Sequence, residues 1–169
     1  MRTVIATDGS LTADDVLAHV TALAGTDEVI VLTIVEIPRA LLGDIRRVYG
    51  ASDAAPVDSD AEYVANTKED NAPSGWPGDD TIIDRYLADQ GEQRAGPLAA
   101  DLRNAGLTVS VDVRESEDAA SAVLTALAEY SPGVVVAAAT GRGLFQGLLG
   151  STSTKLMRLS PCPVLLIRG

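Results

Sequence analysis

The sequence predicts an α/β fold: an open five-stranded parallel sheet, strand order 3-2-1-4-5, with helices on both faces. Three observations carry this prediction. Apolar runs of strand length alternate with helical patterns in the order β-α-β-loop-α-β-α-β-α-β, an alternation that builds parallel sheets through right-handed crossovers. Two of the strand candidates are apolar almost without interruption, as strands covered on both faces are. The 169 residues, 46% of them hydrophobic, suffice for one domain with its own core, spanning 1–169.

Arg2 to Thr7 is short, apolar and β-branched, and it runs into the turn Asp8-Gly9-Ser10. Thr12 with Asp15 three residues later resembles a capping box, with Asp in place of Glu. The helix it opens repeats Val16, Leu17, Val20 and Leu23 at helical spacing, and Gly25 supplies its stop. Val29 to Val35 is the second strand. From Asp80 to Asn104 a helix resumes, with Ile83, Tyr86, Leu87, Leu98 and Leu102 as its core face. Gly96-Pro97 is expected to bend or interrupt it. Leu107 to Val113 alternates and reads as a strand at a sheet edge, wet on one face. Ser116 can cap a helix whose core face is Ala120, Val123, Leu124 and Leu127. Gly133 to Ala138 is a fourth, buried strand. Ser151 to Leu159 is a short helix stopped by Pro161, and Pro163 to Ile167 is the last strand.

A long acidic loop at about 51–80 interrupts this pattern. It carries eight acidic residues, one lysine, and Pro56, Pro73 and Pro77, with no periodicity. Trp76 within it packs over a site, forms a partner contact or, as the preferred reading, simply anchors the loop.

Charge and composition narrow the function classes. A net charge of −11 repels phosphate backbones, so the chain is not expected to bind nucleic acid. No stretch approaches the ~20 apolar residues of a membrane span, so no membrane partner is expected. The N-terminus lacks a signal-peptide pattern and the single Cys162 cannot form an internal disulfide. Both point to a cytoplasmic protein. The charges comprise 16 Asp and 8 Glu against 11 Arg and 2 Lys. Short carboxylates with few lysines suggest a halophilic surface, for which stabilisation by molar KCl in a melting curve is the test.

In doubly wound sheets, ligands bind beyond the carboxyl ends of the strands where the winding reverses. Here that point lies between the first and fourth strands. Asp8 follows the first, and the glycine-rich stretch from Thr140 to Gly150 follows the fourth. Ser151, Thr152 and Ser153 set hydroxyls and N–H groups at a helix start, where the helix dipole favours an anion. This is a phosphate cradle, or else Ser151 or Thr152 simply caps the helix. Arg142 either reaches a phosphate or is a solvated arginine. Asp8 orients a ribose hydroxyl, or a Mg²⁺ ion bound with phosphates, or only orders its turn. Lys155 is expected to face solvent, and His19, inside a helical pattern, is read as structural. No G-x-x-x-x-G-K-[ST] motif is present and no G-x-G-x-x-G follows the first strand, which disfavours P-loop and dinucleotide-binding domains.

Val4-Ile5-Ala6-Thr7-Asp8-Gly9-Ser10, Gly141-Arg142-Gly143-Leu144 through Leu148-Leu149-Gly150-Ser151, and Pro161-Cys162-Pro163-Val164-Leu165 together resemble the universal stress protein family. The resemblance covers nearly the whole chain apart from the acidic loop. It implies the adenine nucleotide alpha hydrolase-like (Rossmann-like) fold, usually as a dimer, and in many members a bound adenine nucleotide. The family's motif is G-x-x-G, nine residues, then G-[ST]. Its last pair is Gly150-Ser151. Counting back nine residues from Gly150 places Thr140 and Ala137 at the two earlier glycines. A one-residue deletion places Gly141 and Ala138 there. Either way the first glycine is alanine. By the same resemblance the nucleotide would meet Ala6, Thr7, Asp8, Ala138, Gly141, Arg142 and Gly143, with Ile34 offering a backbone contact to adenine. Gly150, Ser151 and Thr152 would meet phosphate, and Asp8 would lie near ribose or Mg²⁺.

The leading expectation is therefore a non-catalytic stress-response or regulatory protein binding ATP or another adenine nucleotide, with or without Mg²⁺. The alternative is a dimeric interaction module of the same family that no longer binds nucleotide. A nucleotide phosphohydrolase is a third and weaker reading, since no base or metal cluster is evident. The apolar C-terminal strand, at a sheet edge, predicts a homodimer formed through it. A regulatory protein partner is also expected, and nothing in the residues names it.

Overall fold

The computed structural model describes residues 1–24, 28–37, 79–139 and 150–168. Five parallel strands form the sheet: β1 (Thr3–Ala6), β2 (Glu28–Val35), β3 (Thr108–Glu115), β4 (Val134–Ala138) and β5 (Val164–Ile167). Their order is β3-β2-β1-β4-β5, as the sequence predicts. In register, Ala6 lies beside Leu32 on one side and Ala137 on the other. Four helices complete the described chain: α1 (Ala13–Ala24), α2 (Asp79–Asn104), α3 (Ala119–Tyr130) and α4 (Ser151–Leu159).

Alternate strand residues point to opposite faces, and each face buries its own cluster. Ile5, Val29, Val31 and Val136 pack with Val16 and Val20 of α1 and with Ala95, Leu98, Ala99 and Leu102 of α2. On the other face Val4, Ile30, Leu32, Val135 and Ala137 pack with Val123, Ala126 and Leu127 of α3 and Leu156 of α4. Ile83, Tyr86 and Leu87 extend the first layer by covering Val35 and Ile37.

Several local expectations are corrected. α2 runs unbroken through Pro97. Pro97 and Gln93, whose carbonyl loses its helical partner, are both exposed, so water can satisfy the freed group. Gly91 allows α2 to lie close on β3, since a Cβ there would sit 2.4 Å from Cγ2 of Val113. Leu23 is 37% exposed rather than buried. It lies in the last turn of α1, beyond the buried Val16 and Val20. Leu124 is half-buried, and Ala126 takes its place in the core. Asp118, not Ser116, caps α3, and the Ser116 hydroxyl accepts from the Asp118 N–H at 3.1 Å. His19 is exposed on α1. The capping box holds in altered form: both the N–H and the hydroxyl of Thr12 donate to Asp15 Oδ2, at 2.9 and 2.6 Å.

β3 is an edge strand with one polar face, as its alternation predicts. Arg114 pairs with Asp112 and Glu129, each at 2.7 Å, and its guanidinium lies over the Tyr130 ring. Gly25, Trp76 and the acidic loop, up to the start of α2, fall outside the described residues.

Candidate functional site

The winding reverses between β1 and β4, and both strands end in tight local structure. Past Ala6, the Thr7 N–H donates to the Leu32 carbonyl at 2.9 Å. The Thr7 hydroxyl then accepts from Gly9 N–H, and Asp8 Oδ1 accepts from Ser10 N–H, both at 3.0 Å. Gly9 has φ +89°, and a Cβ there would come within 3.3 Å of the Arg94 Cα. This turn therefore packs against α2. Arg94 also donates from Nη1 to the Ile34 carbonyl at 3.0 Å, tying α2 to the end of β2.

Beyond β4 the chain leaves at Ala139 and returns at Gly150, whose N–H donates to the Ala139 carbonyl at 3.0 Å. α4 starts immediately. Its N-cap is Gly150, and no side chain caps it. The N–H groups of Ser151, Thr152 and Ser153 thus have neither an intrahelical partner nor a side-chain cap. Ser153 turns inward, 4% exposed, and its hydroxyl donates to the Ala138 carbonyl at 2.7 Å. Leu156 one turn on is completely buried. These two residues aim the start of α4 at the end of β4.

A cavity of about 190 Å³ lies where these ends meet. Its polar side is Asp8, Gly150, Ser151 and Thr152. Its apolar side includes Leu32, Ile34 and Val123, and Ala6, Thr7, Ala137 and Ala138 lie along its walls. Of the residues singled out in the sequence, Ala6, Thr7, Asp8, Ile34, Ala138, Gly150, Ser151 and Thr152 come together here. Gly141, Arg142 and Gly143 lie outside the described residues. Ala137 and Ala138, the two candidates for the altered first glycine, both line the cavity.

Sequence reading placed Ser153 in the cradle with Ser151 and Thr152, and it does line the cavity, but it missed Leu32, Ala119, Val123 and Leu156 as lining residues. Ala119 and Val123 sit one turn apart on α3, and no local signal marks them. Only the crossover from β3 to β4, which packs α3 against β2 and α4, brings them in. Lys155 is also corrected. Rather than facing solvent alone, its Nζ bonds Asp118 Oδ2 at 2.7 Å and Ser121 Oγ at 2.8 Å, joining α4 to the start of α3. Lys155, followed by the Ser121 N–H and hydroxyl, holds the Asp118 carboxyl well below the usual carboxylate range.

Among the described residues no group of three or more His, Cys, Asp or Glu side chains could hold a metal ion. Asp8 is, among the described residues, the single carboxylate lining the cavity. No described helix is long and apolar enough to cross a membrane.

The family model described as the universal stress protein family matches residues 1–168. The chain belongs to the universal stress protein family. Solved structures agree with that assignment in fold. Hypothetical protein MJ0577 is 15% identical, with TM-score 0.65 over 99% of this chain and 95% of that one. A universal stress protein family member from Burkholderia pseudomallei is 19% identical, with TM-score 0.58 over 99% and 96%. Another from Arabidopsis thaliana, solved with AMP bound, is 12% identical, with TM-score 0.56 over 99% and 91%. Comparison with curated proteins found no match. Within the universal stress protein fold, the cavity described above occupies the switch point of the sheet.

Proposed function

We propose that this universal stress protein is a stress-response or regulatory protein that binds ATP or another adenine nucleotide in the switch-point cavity. The observation that carries the reading is the start of α4. Its N–H groups have no side-chain cap and open into a cavity with a carboxylate on one wall and an apolar floor. Phosphate suits the first feature, a ribose hydroxyl the second, and a purine ring the third. The Arabidopsis thaliana relative with AMP bound supports the same ligand class. Gly150, Ser151 and Thr152 would meet phosphate, Asp8 the ribose, and Leu32 and Ile34 the base.

Asp8 also fits a Mg²⁺ ion delivered with the nucleotide. Mg²⁺ keeps several waters and takes one or two carboxylates plus phosphate oxygens, so one carboxylate is a sufficient protein contribution. The ion would neutralise phosphate charge beside Asp8.

Calorimetric titration of AMP and ATP, with and without Mg²⁺, into the nucleotide-stripped full chain tests the reading. Micromolar binding, weakened by Ser151→Ala, is expected. No heat of binding to the folded protein would overturn it.

A second reading is a dimeric interaction module without nucleotide. Two observations favour it. Alanine methyls occupy the cavity wall at Ala137 and Ala138. β5 lies at a sheet edge with Val164, Leu165 and Leu166 only half-buried, near exposed Met157 and Leu159 of α4. A homodimer through this strand would cover them. Sedimentation as a monomer at micromolar concentration would sink this reading.

A further inference from the structure

We infer that Lys155 and Asp118 set how many phosphates the site prefers, with Lys155 leaving its ion pair to hold the distal phosphate of a di- or triphosphate. The inference rests on the nucleotide reading above and deepens it.

The cavity is smaller than the ~300–1,000 Å³ pockets that take a whole drug-sized ligand. A nucleotide seated there projects part of its length past the rim, and the end beside α4 is where phosphates emerge. Among the described lining residues Asp8 is the only ionised side chain, and it is acidic. Among the described residues, a cation for a growing phosphate chain therefore comes from outside this lining.

Lys155 is placed to supply one. It stands four residues after Ser151, on the same side of α4, and residues at this spacing are neighbours on a helix surface. Its ammonium is held at Asp118, the residue directly before Ala119, and both Ser151 and Ala119 line the cavity. The ion pair thus spans the gap between the starts of α3 and α4, at the cavity's rim.

The pair is also built to exchange. When Lys155 leaves, Asp118 keeps the Ser121 N–H on Oδ1 at 3.0 Å and the Ser121 hydroxyl on Oδ2 at 2.7 Å. The α3 cap survives without the lysine. Lys155 and Asp118 side chains are 36% and 55% exposed, and ion pairs of this exposure contribute little net stability. A phosphate oxygen offers Lys155 a more highly charged acceptor than one carboxylate does. Asp118 opposes the transfer twice, by holding the ammonium and by repelling added phosphate.

The test is calorimetric titration of AMP, ADP and ATP into wild type, Lys155→Met and Asp118→Asn, with Mg²⁺ and with EDTA. Circular dichroism confirms that each variant is folded. Lys155→Met is expected to weaken ATP roughly tenfold while leaving AMP nearly unchanged, the loss of one charge-assisted contact. Asp118→Asn, which keeps a capping side chain, is expected to raise the ATP-to-AMP preference. Equal changes for all three nucleotides would overturn the inference and leave a helix tether, with the nucleotide reading intact. A preference that follows Mg²⁺ and ignores both substitutions would overturn it as well. Absence of any binding by wild type would overturn the inference together with the reading beneath it.

Discussion

Two helices begin side by side at the carboxyl end of this sheet, and they solve the same problem in opposite ways. α3 starts under Asp118, whose carboxylate accepts from the Ser121 N–H and neutralises the positive end of the helix dipole. α4 starts at Gly150 with no side-chain cap, and its first N–H groups open into the cavity. One helix carries its anion within the chain, and the other is left to take an anion from outside. Uncapped donors are tolerated at α4 because the helix is held by other means. Leu156 anchors it to the sheet and Ser153 bonds the end of β4. The comparison locates a candidate binding surface by what the fold supplies in one place and withholds in the other.

Removing the anchor gives the largest expected effect. Leu156→Ala should destabilise the fold by about 2–5 kcal/mol, because it deletes a completely buried side chain between α4 and the sheet. Denaturant unfolding measures this. A much smaller loss would mean that α4 is held elsewhere and that its open start needs another explanation.

Charge at the capped helix sharpens the contrast next. The Asp118 carboxyl lies below its ordinary value in the folded chain, chiefly through Lys155. Its stabilising contribution is present above the unfolded carboxyl pKa, ~3.9, and disappears as pH falls through the lower folded value. Asp118→Asn keeps a cap but removes this linkage. The variant should be somewhat less stable at neutral pH, and the gap should close on acidification below ~4. A gap that stays constant from pH 7 to pH 2 would show that the ion pair is not what sets Asp118 apart.

Equipping α4 like α3 gives the smallest change in stability. Gly150 has φ −61° and ψ 155°, backbone that any residue adopts, so Gly150→Asp introduces no strain of that kind. A cap gained in place of glycine stabilises by only a few tenths of a kcal/mol. The same carboxylate would occupy the N–H groups offered to phosphate. Stability should rise slightly while nucleotide binding falls steeply, and undiminished ATP affinity would show that the start of α4 is not the phosphate site.

Legibility in the sequence followed the range of the forces involved. Strands such as Val29–Val35 and Val134–Ala138 were readable because burial on both faces demands uninterrupted apolar residues. α4 was readable because Gly150, Ser151 and Pro161 punctuate it locally. The edge position of β3 showed in its alternation, and Asp8 and Ser151 were marked by following the strand ends that flank the switch point. What failed to show depended on neighbours distant in the chain. The core position of Ala126 over Leu124, the exposure of Leu23 and the tolerance of Pro97 each depend on which surface lies opposite.

Local patterning by itself determined the strand order and the two stretches that converge at the switch point, since hydrophobic period, turn residues and crossover handedness act over short range. Tertiary structure alone decided that Ala119 and Val123 wall the cavity. It also decided that Lys155 reaches Asp118 across 37 residues, and that α3 is capped while α4 is not. These are contacts between elements, and their geometry exists only once the helices have packed on the sheet.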